Sequence, residues 1–410
     1  MRQGTVTCKA LTEEYSRLID AYDQKGPSLN AVILVNPNAV KEAEQLDITI
    51  KEKEPVGPLH GIPVLLKDNV ETGDMVTTSG SLSLKDYLPD DDAFLTKRLK
   101  AAGAIILAKA NMHEFAVWGE SVSSILGQVL NPYDLTRTPG GSSGGTGAGM
   151  AANFAAVGIG TDTINSIRSP SSANNLVGIR PTVGLVSDEG IVPYSLTQDT
   201  AGPMARTVAD AAAVLKVIAI RDLPKADISR KPKIGILKSF FGTEPVNGEV
   251  NQVIAEVIKE MGSSGIEFIK IDEDIQSADL VSQVSVHLFD LKAHLNSYLE
   301  AVHAPYPSID SILASGLYLP GIKESLVYAN QLDINAPAYR ARLQKRARLQ
   351  KCIVASVLDH QLDAMIFPHQ QQLVCKVGES QLQRNGALAA ITGYPSICLP
   401  AGFSAPTQQG

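Results

Sequence analysis

The stretch Thr138–Pro170 constrains this chain more than any other. It reads TPGGSSGGTGAGMAANFAAVGIGTDTINSIRSP. A first turn, Gly140-Gly141-Ser142-Ser143-Gly144-Gly145, bends beside two serines, and a second polar turn runs from Gly160 to Arg168. Glycine permits positive φ and close backbone approach, so a turn of this kind can aim hydroxyls and amides at one point. Between the turns, the small-residue run Gly147–Val157 predicts a tightly packed helix, with a strand near Ala156–Gly160.

The flanking sequence alternates between the helical and the extended pattern. Helices are expected over Ala10–Tyr22, Ala39–Lys53 and Asp92–Ala102, and strands over Ser28–Val35, Val64–Leu66 and Ala104–Lys109. Lys67 closes the second of these strands. Further on come helices at Thr207–Ile218, Asn251–Met261 and Leu280–Val302, with strand and turn at Val177–Val186. Late strands are expected at Lys233–Leu237, Ile266–Lys270, Leu362–Pro368 and Ser396–Pro400. This alternation predicts an α/β fold whose sheet is covered by helices on both faces. No linker rich in Pro, Gly or Ser divides the chain, so one domain over residues 1–410 is the simplest organisation.

Composition narrows the function. The chain has 410 residues, 44% hydrophobic and 19% charged, enough for a large core. A net charge of -7 gives no global attraction to nucleic acid or to an anionic membrane. No apolar run approaches the roughly 18 residues of a membrane span. Polar residues follow Met1-Arg2-Gln3-Gly4, so no signal-peptide core is expected. Cys8, Cys352, Cys375 and Cys398 are far apart and form no CxxC pair, and no HExxH occurs among the scattered histidines. The expectation is a cytoplasmic protein with neither metal nor cofactor. A direct repeat, Arg340–Lys345 and again Arg346–Lys351, fits a long solvated basic helix; its period of six is not a whole number of helical turns.

Three segments in this order, Gly61-Ile62-Pro63-Val64-Leu65-Leu66-Lys67-Asp68-Asn69, the Gly140–Gly145 turn, and Gly160-Thr161-Asp162 running to Ser166-Ile167-Arg168, resemble the amidase signature family of serine amide hydrolases. The resemblance spans about Ala10 to Phe403. It implies a mixed, largely parallel sheet core and a small-molecule amide as substrate. Position by position, Ser166 resembles the nucleophile, Ser142 the serine of a cis peptide, and Lys67 the base. Ser142 and Ser166 are 24 positions apart, the family's separation. The amides of Thr163, Ile164, Asn165 and Ser166 would form the oxyanion hole, and Ser143, Asp162 and Arg168 would support the loop.

The chemistry stands on its own. A serine hydroxyl is a weak nucleophile until a partner takes its proton. Lysine can do so only when neutral, so its pKa must fall well below about 10.4. Burial at a strand end does this by penalising the charged form. Asp68 is adjacent, but along a strand its side chain points to the other face.

Two departures from the family pattern carry expectations. Ile164-Asn165 stand where two glycines usually precede the nucleophile; Asn tolerates left-handed backbone and Ile does not, so Ile164 is expected to narrow the acyl pocket or alter one oxyanion donor. The chain stops in a polar tail, Ser404–Gly410, where the family continues with a further strand and helices, which predicts a shortened domain with an exposed sheet edge. Besides a stand-alone amidase, the resemblance admits a glutaminase-type subunit of an amidotransferase complex, against which the Ile164-Asn165 pair argues, and the two departures raise a catalytically impaired relative.

Overall fold

The computed structural model describes residues 1, 4–224, 229–273 and 275–405; residues 406–410 of the expected polar tail lie outside them. Ten strands matter for the site. They are β1 (Val32–Val35), β2 (Pro63–Lys67), β3 (Ile105–Ala110), β4 (Val157–Asp162), β5 (Val177–Arg180), β6 (Thr200–Ala205), β7 (Lys233–Leu237), β8 (Glu267–Ile271), β9 (Ala364–Ile366) and β10 (Ser396–Cys398). Seven of them form the main sheet in the order β1-β3-β2-β4-β6-β5-β10. The sheet is mixed. Its centre, β3-β2-β4, is parallel, and the pairings to β1, β6, β5 and β10 are antiparallel. A smaller sheet, β8-β7-β9, is parallel throughout.

The sequence of β2, PVLLK, explains its central place. All five residues are buried, as a strand covered on both faces requires. Leu65 packs with α1 (Cys8–Tyr22), α2 (Ala39–Lys51) and α4 (Gly144–Ala151). Val64 and Leu66 face the other way, toward α3 (Phe94–Ala101) and α5 (Val208–Ile218). Each such side chain contributes about 1.5–3 kcal/mol on full burial. Helices thus cover both faces, and the alternation fixes which way Lys67 points.

Several boundaries differ from the periodicity. The first strand begins at Val32 rather than Ser28, because Ser28 and Asn30 adopt φ of 53°, outside the extended region. Helix α4 starts at Gly144, inside the glycine turn, and ends at Ala151. A β-carbon at Gly145 would collide with the carbonyl oxygens of Asn111 and Ala31, so only glycine lets the helix sit this close to the sheet. The expected helix Leu280–Val302 is broken. A π-turn at Leu280–Val284 ends at extended Ser285 (φ -62°, ψ 140°), and a regular helix resumes over His287–Ala301. The repeat lies within one helix, Pro337–Asp359. Its Arg342 is not simply solvated: it donates to the carbonyls of Ser285 (2.7 Å) and Ser282, capping that break. Among the described residues, no helix is long and apolar enough to cross a membrane.

Candidate active site

The ends of β2 and β4, the glycine turn and the polar turn after β4 converge. Lys67 closes β2 and is fully buried. Its Nζ donates to Ser142 Oγ and to Thr161 Oγ1, both at 2.8 Å, and reaches the Thr161 carbonyl at 3.4 Å. Burial pulls its pKa down to about 7, against the weaker opposing fields of Asp162 and Asp199. Asp68 does face away, as the alternation requires: its carboxylate accepts from the Thr78 amide at 3.0 Å and lies 3.6 Å from the Lys109 ammonium.

Ser142 is buried in the first turn, and the Gly141–Ser142 peptide bond is cis. Ser143 Oγ donates to the Thr161 carbonyl (3.2 Å) and accepts from the Thr161 amide (3.3 Å), which pins the turn to β4. The Ser143 amide donates to the Ser166 carbonyl at 3.2 Å, so the two turns are also joined directly. Ser166 is 7% exposed, and its Oγ makes no hydrogen bond among the described residues. The structure therefore joins Lys67 to Ser142 by a hydrogen bond but does not join Ser142 to Ser166 by one. Catalytic hydrogen bonds often tighten only once substrate is bound.

The loop from Thr163 to Ser166 is held from below. Asp162, fully buried, takes a bidentate pair of bonds from Arg168 (both 3.1 Å), a bond from Arg180 (2.9 Å) and one from the Ile167 amide (3.0 Å). Burial alone would raise its carboxyl pKa, but the two guanidiniums outweigh that and hold it far below the usual carboxylate range. Arg168 also donates to the Ile164 carbonyl at 2.7 Å. The amides of Thr163, Ile164, Asn165 and Ser166 donate to no protein acceptor among the described residues. Neither Ile164 nor Asn165 has positive φ, so the loop does not use the left-handed tolerance that favours Asn. Ile164 instead packs against the cluster containing Leu237, Phe240 and Ile391.

Sequence reasoning missed Arg180, which bonds Asp162, and four further residues here. Thr161 shares the Lys67 ammonium with Ser142, and Asn69 Nδ2 donates to the same Thr161 oxygen at 3.1 Å. Thr163 Oγ1 donates to Asp199 at 2.6 Å, and Gln198 Nε2 donates to the Thr163 carbonyl at 3.2 Å. Thr161 and Asn69 lay inside the quoted motifs and were legible there as polar residues beside the lysine. Gln198 and Asp199 sit in an aperiodic loop before β6, with no pattern to mark them.

The sequence matches the Amidase family over residues 10–408. It is 31% identical to a glutamyl-tRNA(Gln) amidotransferase subunit of Alkaliphilus metalliredigens, over 98% of this chain and 88% of that one. It is 33% identical to a probable amidase of Arabidopsis thaliana, over 97% and 81%. With the same amidotransferase subunit of Prochlorococcus marinus, identity is 36% over 64% of this chain, and the aligned part spans only 58% of that relative. Among solved structures, a peptide amidase from Stenotrophomonas maltophilia superposes with a TM-score of 0.88 at 35% identity, covering 99% of this chain and 89% of that one. An amidase family protein from Bacillus anthracis superposes with a TM-score of 0.84 at 30% identity, covering 98% and 82%.

Proposed function

The chain belongs to the Amidase family, and from that premise we propose that it hydrolyses linear carboxylic amides through an acyl-enzyme on Ser166. Neutral Lys67 takes a proton from Ser142, which takes one from Ser166. Ser166 Oγ bonds to the amide carbon, and the oxyanion is met by the free amides of residues 163–166. The C–N bond breaks as the leaving nitrogen takes up the proton. Water then attacks the ester, the acid leaves, and Ser166 regains its hydrogen. A single oxyanion donor of this kind is worth about 2.7–4 kcal/mol of barrier.

The observation that carries this reading is a fully buried lysine, with a pKa near 7, donating to Ser142 over 2.8 Å. Such a lysine is a base at neutral pH, and a surface lysine is not. Likeness to the Stenotrophomonas peptide amidase supports amides at the end of a peptide as substrates. Four free cysteines fit a reducing, cytoplasmic setting. The test combines a fluorophosphonate probe, intact-mass detection of the adduct and ammonia release from a panel of amides. Labelling is expected at Ser166 in wild type only. Equal ammonia release from wild type and Ser166→Ala would remove the assignment.

The near full-length identity to an amidotransferase component favours one second reading, a glutaminase that works within a complex. It requires glutamine to be hydrolysed only when partner proteins are added. Turnover of other amides by the isolated chain decides against it.

A further inference from the structure

A cavity of about 380 Å³ opens beside the Lys67 cluster. Asn69, Thr161 and Thr163 belong to its lining, so its inner wall is the group that holds Lys67 on one side and begins the oxyanion loop on the other. Asn69 is 3% exposed. Its Nδ2 is engaged by Thr161 and the Val192 carbonyl, but its Oδ1 has no hydrogen-bond partner among the described residues. That acceptor is itself closed off from the cavity, so Asn69 shapes the inner wall and is no contact for a ligand. Val183, Val186, Ile191 and Val192 make the walls apolar. Asp188 and Glu189 are exposed where they line it, and no Lys, Arg or His among the described residues does so.

We propose that this cavity receives the amine half of the substrate. Besides unsubstituted amides, the protein then acts on amides whose nitrogen carries a neutral apolar or cationic alkyl group, and it disfavours those carrying a carboxylate. The inference rests on the acyl-enzyme reading above. In that reading the leaving nitrogen takes the proton surrendered by Ser166, so it departs on the Lys67 side, where this cavity lies. The space has room for more than ammonia, which is close to water in size. The acidic lining gives the sign of the charge preference.

Aminolysis of the acyl-enzyme tests this, since an incoming amine uses the leaving-group subsite in reverse. p-Nitrophenyl acetate acetylates Ser166, releasing p-nitrophenol. Isoamylamine and 4-aminobutyrate, primary amines of similar chain length, then compete with water at one pH. The amine nitrogen bonds to the acetyl carbon, the Ser166 ester bond breaks, and the amine's proton returns to Ser166. Ser166→Ala supplies the solution background. Isoamylamine is expected to partition into its acetamide at least about tenfold better than 4-aminobutyrate, and the double variant Asp188→Lys, Glu189→Lys should cut that ratio about fivefold or more. Equal partition of the two amines, or acetylated enzyme that reacts only with water, overturns the cavity assignment and leaves the acyl-enzyme intact. Absence of acetyl on Ser166 removes the acyl-enzyme reading, and this inference with it.

Discussion

Lys67 Nζ lies 2.8 Å from Ser142 Oγ, while the carboxylate next to it in sequence, Asp68, is turned toward Lys109. The separation follows from strand geometry. Successive side chains leave opposite faces, so the chain holds an ionisable amine and a carboxylate side by side without pairing them. Two buried lysines on adjacent strands therefore differ in surroundings. Lys109 has a carboxylate at 3.6 Å, and Lys67 has only hydroxyl and carbonyl oxygens within hydrogen-bonding reach.

The first consequence is a pH profile. With its pKa brought down to about 7 by burial, Lys67 is protonated in acid and cannot accept from Ser142. The rate of Ser166 labelling by a fluorophosphonate is expected to rise through about pH 7 and level off above it. Lys67→Met should abolish both the rate and the inflection. A wild-type rate flat from pH 5 to 9 would exclude Lys67 as the base.

In Lys67→Met, stability should move the opposite way from activity. The unfolded lysine titrates near 10.4, and the folded one near 7. Between those values the unfolded chain binds more protons, so wild-type stability rises with pH across that window, and below about pH 7 the penalty is fully present. Lys67→Met removes the penalty but also the bonds to Ser142 and Thr161. The net expectation is a variant more stable by about 2 kcal/mol at neutral pH, without the rising limb between pH 7 and 10. Urea melts at several pH values check both points.

Asp162 is the electrostatic floor of the loop. It is the shared carboxylate of two buried guanidiniums, Arg168 and Arg180. Asp162→Asn keeps the shape and leaves both cations without their counter-charge, at an expected cost of about 3–5 kcal/mol. Because the folded carboxyl sits below its unfolded value, its contribution is present above about pH 4 and is lost as pH falls below that. Calorimetric melting from pH 3 to 7 should show this acid limb in wild type and a flatter one in the variant.

What could be read in advance follows the same physics. Lys67 was legible because three apolar residues before it fix a buried strand, and a strand has only two faces. The serines were legible because glycines at 140, 141, 144 and 145 allow a turn that other residues do not. The start of α4 within that turn was not, since glycine is a poor helix former and only close packing on Asn111 and Ala31 explains it. Gln198, Asp199 and Arg180 were invisible as site residues. Each acts through bonds to residues distant in sequence, among them a loop carbonyl, a threonine and a carboxylate, and local pattern carries no trace of such partners. The break at Ser285 was hidden for a similar reason: Arg342, 57 residues later, satisfies the carbonyl that the helix abandons.

That break leads to a last prediction, at Gln198. Its Nε2 donates to the Thr163 carbonyl at 3.2 Å, and its Oε1 accepts from Ser285 Oγ (3.0 Å) and the Val286 amide (3.2 Å). One amide side chain thus ties the start of the proposed oxyanion loop to the interrupted helix. Gln198→Leu leaves both ends unsatisfied in a buried place, for about 2–3 kcal/mol of stability. Gln198→Glu, with the carboxylate ionised, keeps the acceptor toward Ser285 and Val286 and loses the donor toward Thr163. If Gln198 positions the loop amides, kcat should fall about 10- to 100-fold in both variants with KM nearly unchanged, while thermal melting shows the glutamate variant less destabilised than the leucine one. A leucine variant that melts early yet keeps wild-type kcat in its folded fraction would reduce Gln198 to a structural tie.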